Sequence, residues 1–267
     1  MFSRHYIEKA DCPPEVAKVI EEKIHSELWR DVIDPASNGL SEKEKSHSVQ
    51  TLRAHFDELD KNALRPALLH EQHYLCAYCM AQIEDDGRAT TIEHWSPLGE
   101  KKENAIDYSN FLAVCYGGRN ATKIPGEEKV LCCDASKGEQ KITINPQNRE
   151  MMDGIGYTSD GLIYYQEGTP FDTGMMQDEI DYILQLNGKM GKRTSERIDT
   201  ATRLIQQRRN VYKSTEKICL DMLDSGDLNE AWLSQQIYSC LNTERRDAFA
   251  GVALFVYNLY RKKLSKL

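Results

Sequence analysis

Apolar residues recur at helical spacing through the first third of the chain. Val16, Val19, Ile20, Ile24 and Leu28 share one stripe, and the spacing predicts a helix that opens near Pro13-Pro14 with Asp11 as its cap. A polar break from Asp34-Pro35 to Lys45, rich in Ser, Asn, Gly and charge, ends that stripe. Periodicity resumes at Val49, Leu52, Phe56 and Leu59. A third helix is expected from Arg65-Pro66, carrying Leu68, Leu69 and Tyr74 toward the first cysteine pair.

The pattern changes between Cys76 and about Gln147. Short segments punctuated by Gly, Pro and Asn replace the periodic runs, as expected where a metal rather than a core supplies order. From Tyr157 to Gln166, two β-prone pieces flank Gly161 and predict a hairpin. Beyond Phe171 the pattern is helical again, with Leu184, Leu186, Ile198, Leu204, Ile205, Ile218, Leu220 and Leu223 as expected core positions. The run from Ala248 to Leu254, continuing through Tyr257, falls well short of the roughly 20 residues a membrane span needs and predicts a buried helix.

Composition narrows the class. With 40% apolar and 28% charged residues in 267, the chain can bury a core. A net charge of −8 argues against coating nucleic acid by bulk attraction, yet leaves room for a local basic groove. Residues 187–213 hold eight basic side chains (Lys189, Lys192, Arg193, Arg197, Arg203, Arg208, Arg209, Lys213) against Glu196 and Asp199. Projected as a helix, most of them fall in one arc of roughly 160°, a face suited to phosphates, to an acidic partner or simply to solvent. The opening Met1 to Lys9 lacks the apolar stretch of a secretory leader, and the expectation is a cytosolic protein without membrane attachment.

Eight cysteines in such a compartment point to metal ligands or buried thiols rather than disulfides. Cys12, Cys219 and Cys240 stand in helical stretches and read as packing residues. The other five cluster. Cys76-Ala77-Tyr78-Cys79 is a knuckle whose turn presents two thiolates to one ion, and Cys115 with either Cys132 or Cys133 would complete a four-thiolate site. Such a site is saturated, so its zinc would be structural. Between the two cysteine groups lies Ile92-Glu93-His94-Trp95-Ser96-Pro97. Hydrolysis of a phosphodiester needs a base to deprotonate water and a hard divalent cation to neutralise the transition state, for which oxygen ligands suit Mg²⁺ or Mn²⁺. Trp29, Trp95 and Trp232 read as core residues, with Trp95 alternatively walling the site.

These motifs, in this order, resemble the HNH nucleases of the ββα-metal kind: the Cys76–Cys79 knuckle, Glu93-His94 with Pro97, Asn110 before Phe111-Leu112-Ala113-Val114-Cys115, then Cys133-Asp134-Ala135-Ser136-Lys137-Gly138 and Ile144-Asn145-Pro146. The resemblance implies that His94 is the general base, that Glu93 and Asp134 hold a catalytic Mg²⁺ or Mn²⁺, and that Asn110 fixes the His-bearing loop. It further implies that Cys76, Cys79, Cys115 and Cys133 hold structural Zn²⁺, with Cys132 an ambiguous neighbour, and that Lys137 contacts phosphate; the basic segment itself adds Lys189, Lys192, Arg193 and Arg197 as candidate nucleic-acid contacts. Two features depart from the usual pattern: Glu93 stands where many members have Asp, and the interval from Cys115 to Cys132 is expanded by a segment with Gly117, Gly118, Asn120, Pro125 and Gly126.

The stretch Leu68 to Cys79, with Tyr6-Ile7-Glu8-Lys9 before Pro13-Pro14, the Asp160-Gly161 turn and Ile183-Leu184-Gln185-Leu186-Asn187, is similar to the PtuB-like HNH component of Septu anti-phage systems and some retron modules. That implies a partner ATPase of the PtuA-like ABC/SMC type, with a retron reverse transcriptase and noncoding RNA assembly as a further partner. The expected architecture is α+β: a helical region over 1–68 that is a candidate for partner docking, a zinc-stapled HNH core over 69–150, and a hairpin with helices over 151–267. The rival expectation is a zinc module without catalysis, which needs the cysteines but not Glu93, His94, Asn110 or Asp134.

Overall fold

The computed structural model describes residues 6–26, 29, 42–123, 129–190, 197–199 and 202–266, with backbone alone for 42–48. Leu28, Lys192 and Arg193, and most of the polar break after Asp34, lie outside the described residues.

The N-terminal helices form where the periodicity places them, but with different ends. Helix α1 spans Pro14–Ile24. Pro13 occupies its cap without a side-chain bond, so Asp11 does not cap it; Pro14 at the first turn has no N–H to leave unsatisfied. Val16 is buried, whereas Ile24 faces outward. Helix α2 spans Glu42–Asp57 and buries Leu52 and Phe56. Helix α3, Lys61–Glu71, begins earlier than the Arg65-Pro66 signal because the Asp60 side chain accepts from Asn62 N at 2.8 Å. Pro66 therefore sits inside the helix, where the burial of Leu64, Leu68 and Leu69 outweighs one missing backbone bond.

Strands β1 (Thr90–His94) and β2 (Phe111–Cys115) pair antiparallel with Glu93 opposite Leu112 and His94 opposite Phe111. Buried Gln72, at the end of α3, acts as a piece of neighbouring strand. Its amide donates to Ala113 O at 2.7 Å and its carbonyl accepts from Ala113 N at 2.7 Å. Both ladder groups of Ala113 on the outer edge of β2 are thereby satisfied, and α3 is locked to the sheet. A single turn of helix, α4 (Asp134–Lys137), follows the last cysteine.

After α5 (Arg149–Asp153) comes the expected hairpin, β3 (Ile155–Tyr157) against β4 (Ile163–Tyr165). Its turn needs glycine: Gly161 has φ +87°, and a Cβ there would meet Ile205 O at 2.2 Å. Helix α6 (Thr173–Asp178) runs on into a π-helical turn, Glu179–Ile183. A second hairpin pairs β5 (Lys189–Met190) with β6 (Arg197–Ile198), and α7 (Leu204–Asp224), α8 (Glu230–Leu241) and α9 (Ala250–Leu264) follow. Helix α9 packs on α7 and α8 and buries Val252, Leu254, Phe255, Val256 and Tyr257, as its apolar run predicts.

Two expectations for this half are overturned. Ile218, Leu220 and Leu223 are exposed by 44–46%, not core. Nor is 187–213 one helix with a basic face, since its first part is a hairpin. Arg197 pairs with Asp181 at 3.1 Å, and Arg208 is fully buried, bonded to Gly161 O and Leu186 O at 2.7 Å each. The fold is thus α+β, with helices around small antiparallel sheets. Buried side chains from the N-terminal, central and C-terminal regions join in one cluster. Among the described residues, no helix is long and apolar enough to cross a membrane.

Candidate metal centre and adjoining polar cavity

Four sulfurs converge beside the β1–β2 unit. The Sγ atoms of Cys76, Cys79, Cys115 and Cys133 all lie within 4.8 Å of one another. The measured separations are 3.9 Å for Cys76–Cys133 and 3.7 Å for both Cys79–Cys115 and Cys115–Cys133. A tetrahedron with zinc–sulfur bonds of about 2.3 Å has edges of about 3.8 Å, so the donor set fits a zinc ion in both chemistry and spacing. Backbone amides support the sulfurs: Cys115 N donates to Cys76 Sγ at 3.3 Å and Ala81 N to Cys79 Sγ at 3.4 Å. The mutually close set includes Cys133 and not Cys132, although the Cys132 sulfur is 3.6 Å from that of Cys133. Cys133 is held at φ +56°, an uncommon conformation for a side-chain-bearing residue, and its N–H donates to Leu184 O. Gly117 makes the return path possible, because a Cβ there would meet Cys132 O at 2.2 Å.

Cys133 is followed directly by Asp134, and on that side of the cluster opens a polar cavity of about 250 Å³. Glu93 and His94 from the end of β1, Asp134 and Lys137 from α4, Arg53 from α2 and Arg119 from the Cys115–Cys132 interval all line it. Glu93 is buried, and its carboxyl is pushed up to about 8, first by burial and then by the neighbouring Asp134 carboxylate, against the pull of Lys137. Lys137 Nζ donates to Glu93 Oε1 at 2.6 Å, to His94 O at 3.2 Å and to Gly138 O at 3.4 Å. Tyr78 OH reaches the same Glu93 oxygen at 3.4 Å. Asp134 receives Arg119 Nη2 at 2.9 Å.

His94 sits between Phe56 and Phe111, with ring centroids 4.5 and 5.1 Å away. Burial lowers its pKa to about 4, helped by the positive charges of Arg53, Lys61 and Lys137, so the imidazole is neutral. Its Nε2 lies 3.0 Å from Ala105 O. A carbonyl only accepts, so Nε2 carries the proton and Nδ1 keeps the lone pair. The loop beyond His94 is fixed by Asn110, which is 4% exposed. Its Oδ1 accepts from Ser96 N at 2.8 Å, and its Nδ2 donates to Ser96 O and Asn104 O at 3.0 Å. Trp95 does not line the cavity; its indole donates to Ile144 O at 2.9 Å.

Of the residues singled out from the sequence, the structure thus brings together Glu93, His94, Asp134 and Lys137, with Asn110 behind them. Lys189 and Arg197 lie on the second hairpin and do not line the cavity. Lys137 lines the cavity but is 1% exposed, and the three donors of its ammonium already face three acceptors. Sequence reasoning missed Arg53, Arg119, Tyr78 and the Ala105 carbonyl. Arg53, Arg119 and Ala105 carry no local motif, Tyr78 stands in the knuckle only as a spacer, and Arg53 belongs to a helix far along the chain from His94. No protein-family model matches the chain, and no curated protein is significantly similar to it.

Proposed function

We propose that this protein is a metal-dependent nuclease of the HNH type that hydrolyses nucleic-acid phosphodiester bonds, with a thiolate-bound zinc as its structural staple. One observation carries the reading: two carboxylates, Glu93 and Asp134, meet beside a neutral imidazole whose proton is already committed to Ala105. The order of two antiparallel strands and a short helix, with these residues on them, supports the ββα-metal assignment.

Glu93 and Asp134 are the residues that would hold Mg²⁺ or Mn²⁺. Oxygen donors suit those ions, and Mg²⁺ is commonly held by one or two carboxylates, with water and substrate phosphate completing its shell. Burying two like charges together costs free energy that a divalent cation would recover, which fits the raised pKa of Glu93. When bound, the ion would supply Lewis-acid neutralisation of the phosphoryl oxygens. The rest falls to the protein. Nδ1 of His94 accepts the proton of the attacking water, the Ala105 carbonyl stabilises the resulting imidazolium through Nε2–H, and Asn110 keeps the loop from drifting. A pKa near 4 makes the ring a weak base at rest, and a nearby phosphate dianion-like transition state would raise it.

The zinc module without catalysis gives no role to this arrangement of Glu93, His94, Asn110 and Asp134. Service as the effector subunit of an anti-phage complex, with an ABC/SMC-type ATPase as partner, is supported by the PtuB-like resemblance of the sequence. The test is a plasmid-nicking and RNA-cleavage assay in Mg²⁺ or Mn²⁺, with and without the co-expressed ATPase. Cleavage is expected to vanish with EDTA and to fall about 10²- to 10⁴-fold in His94→Ala, the range for loss of a general base. Undiminished cleavage by that variant, at unchanged zinc content, would remove the assignment.

A further inference from the structure

Three carboxylates and three cations line the polar cavity, and they pair one to one: Glu93 with Lys137, Asp134 with Arg119, Glu139 with Arg53. The cations are not equivalent. Lys137 is sealed in the floor with its three donors engaged. Arg53 and Arg119 are solvent-accessible, with side chains 56% and 38% exposed, and each uses a single Nη2 in its ion pair, at 2.7 Å to Glu139 and 2.9 Å to Asp134. A guanidinium carries five N–H donors in a rigid fork. An arginine pinned through one nitrogen therefore keeps donors for a second oxyanion and loses less side-chain entropy on meeting it than an unpinned one.

Their positions add to this. Arg53 comes from α2 in the N-terminal region, and Arg119 from the interval between Cys115 and Cys132, so they reach the cavity from two separate parts of the chain. Arg53 is also among the charges that act on the His94 ring, which places its guanidinium near the general base of the proposed reaction.

We propose that Arg53 and Arg119 form a two-arm clamp for the phosphodiester backbone of the nucleic acid at the mouth of this cavity, each anchored by its own carboxylate. The clamp rests on the nuclease reading, which it deepens by moving the phosphate contacts from Lys137 to two residues outside the motif. It gives α2 a direct part in the substrate site and makes Arg119, just after Cys115, a substrate-holding residue.

The test uses the full chain with zinc bound, carrying His94→Ala so that cutting is slow on the timescale of the binding measurement. Binding of short fluorescein-labelled DNA and RNA duplexes is followed by anisotropy across a salt series. Arg53→Gln and Arg119→Gln are each expected to weaken binding about tenfold, as for loss of a charged hydrogen bond, and to lower the salt slope by about one. Lys213→Gln, on the exposed face of α7, is expected to change neither. Because Arg119→Gln leaves Asp134 unpaired, Arg119→Lys serves as the check on folding: it keeps the charge and the salt slope but loses the fork and part of the affinity. Loss on DNA, on RNA or on both supports the clamp and identifies the polymer. Parental affinity and slope for both Arg53→Gln and Arg119→Lys, on both duplexes, would overturn it. Binding is read in a background that lacks the base, so a failed clamp leaves the cleavage result standing, and a failed cleavage result leaves the clamp.

Discussion

Two anionic sites stand back to back here, joined by the peptide bond between Cys133 and Asp134, and they handle crowded negative charge in opposite ways. In the sulfur site every donor faces its neighbours. Cys115 is held well below the usual thiol range by bonds from Cys132, Cys133, Cys76 and Cys79, while Cys79, through its bond to Cys115, and Cys133, through burial, are pushed well above it. Four thiolates can coexist there only around a cation, and once it is bound no coordination position remains. In the carboxylate site each anion already has a protein cation, and two of those cations are exposed. A saturated site holds shape; a balanced one whose exposed cations keep spare donors can take on substrate as well.

The sharpest way to break this contrast is to take a ligand from the sulfur side. Structural zinc contributes about 10–16 kcal/mol in small zinc-binding peptides, which matches or exceeds the whole stability of a typical domain. Cys76→Ser or Cys133→Ser is therefore expected to lose the zinc and the cooperative melt of the wild type, as followed by metal analysis and circular dichroism. Cys132→Ser should keep full zinc stoichiometry and cost about 1–3 kcal/mol for a hydroxyl buried without a new partner. Equal damage from Cys132→Ser and Cys133→Ser would mean that the fourth ligand has been misassigned.

On the carboxylate side the corresponding cut is Lys137→Met. It takes the donor from Glu93 Oε1, His94 O and Gly138 O and removes the cation that pulls the raised Glu93 carboxyl down, so Glu93 is driven further toward its protonated form and each buried acceptor left unpaired costs about 1–3 kcal/mol. Glu93→Gln removes the group that Lys137 answers, so the double variant should cost less than the sum of the two single changes. Denaturant titrations of the four proteins give the coupling directly. Additive losses would show that the two residues do not act as a balanced pair. Added Mg²⁺ is expected to restore stability to Lys137→Met but not to the double variant.

The sulfur site was far more legible in the sequence than its neighbour. A C-x-x-C turn fixes two ligands locally, and Glu93-His94 and Cys133-Asp134 are adjacent pairs, so little of the fold had to be known. Arg53 and Arg119 reach the cavity only through tertiary packing, and no periodicity announces them. Helix α7 misled for a different reason. Its inner stripe includes Leu204, Arg208, Tyr212, Thr215 and Cys219, so two of its members are polar. Arg208 is buried because loop carbonyls accept from it, and Thr215 because its hydroxyl donates to Val211 O. Hydrophobicity alone therefore chose Ile218, Leu220 and Leu223 on the wrong face. The projection of the basic segment failed at Gly188, whose φ of +64° turns the chain into a hairpin where no Cβ fits beside Ile198 O.

A further test probes the imidazole that the carboxylate site keeps neutral. The folded chain holds His94 at about 4, below the 6.5 of an unburied histidine, so between those values the unfolded chain binds a proton that the folded chain does not. Stability from this group is therefore complete above pH 6.5, declines as the pH falls from 6.5 toward 4, and changes no further below that. Over most of this window the loss amounts to about 2–3 kcal/mol. Denaturant midpoints of wild type and His94→Leu at pH 7 and at about pH 4.5 isolate it, because the other titrating groups are common to both chains. The wild type is expected to lose more than the variant by that margin, since leucine fills the slot between Phe56 and Phe111 without a proton to gain. Parallel losses would mean that the ring is not held neutral by its surroundings, and the poised base of the proposed reaction would lose its electrostatic footing.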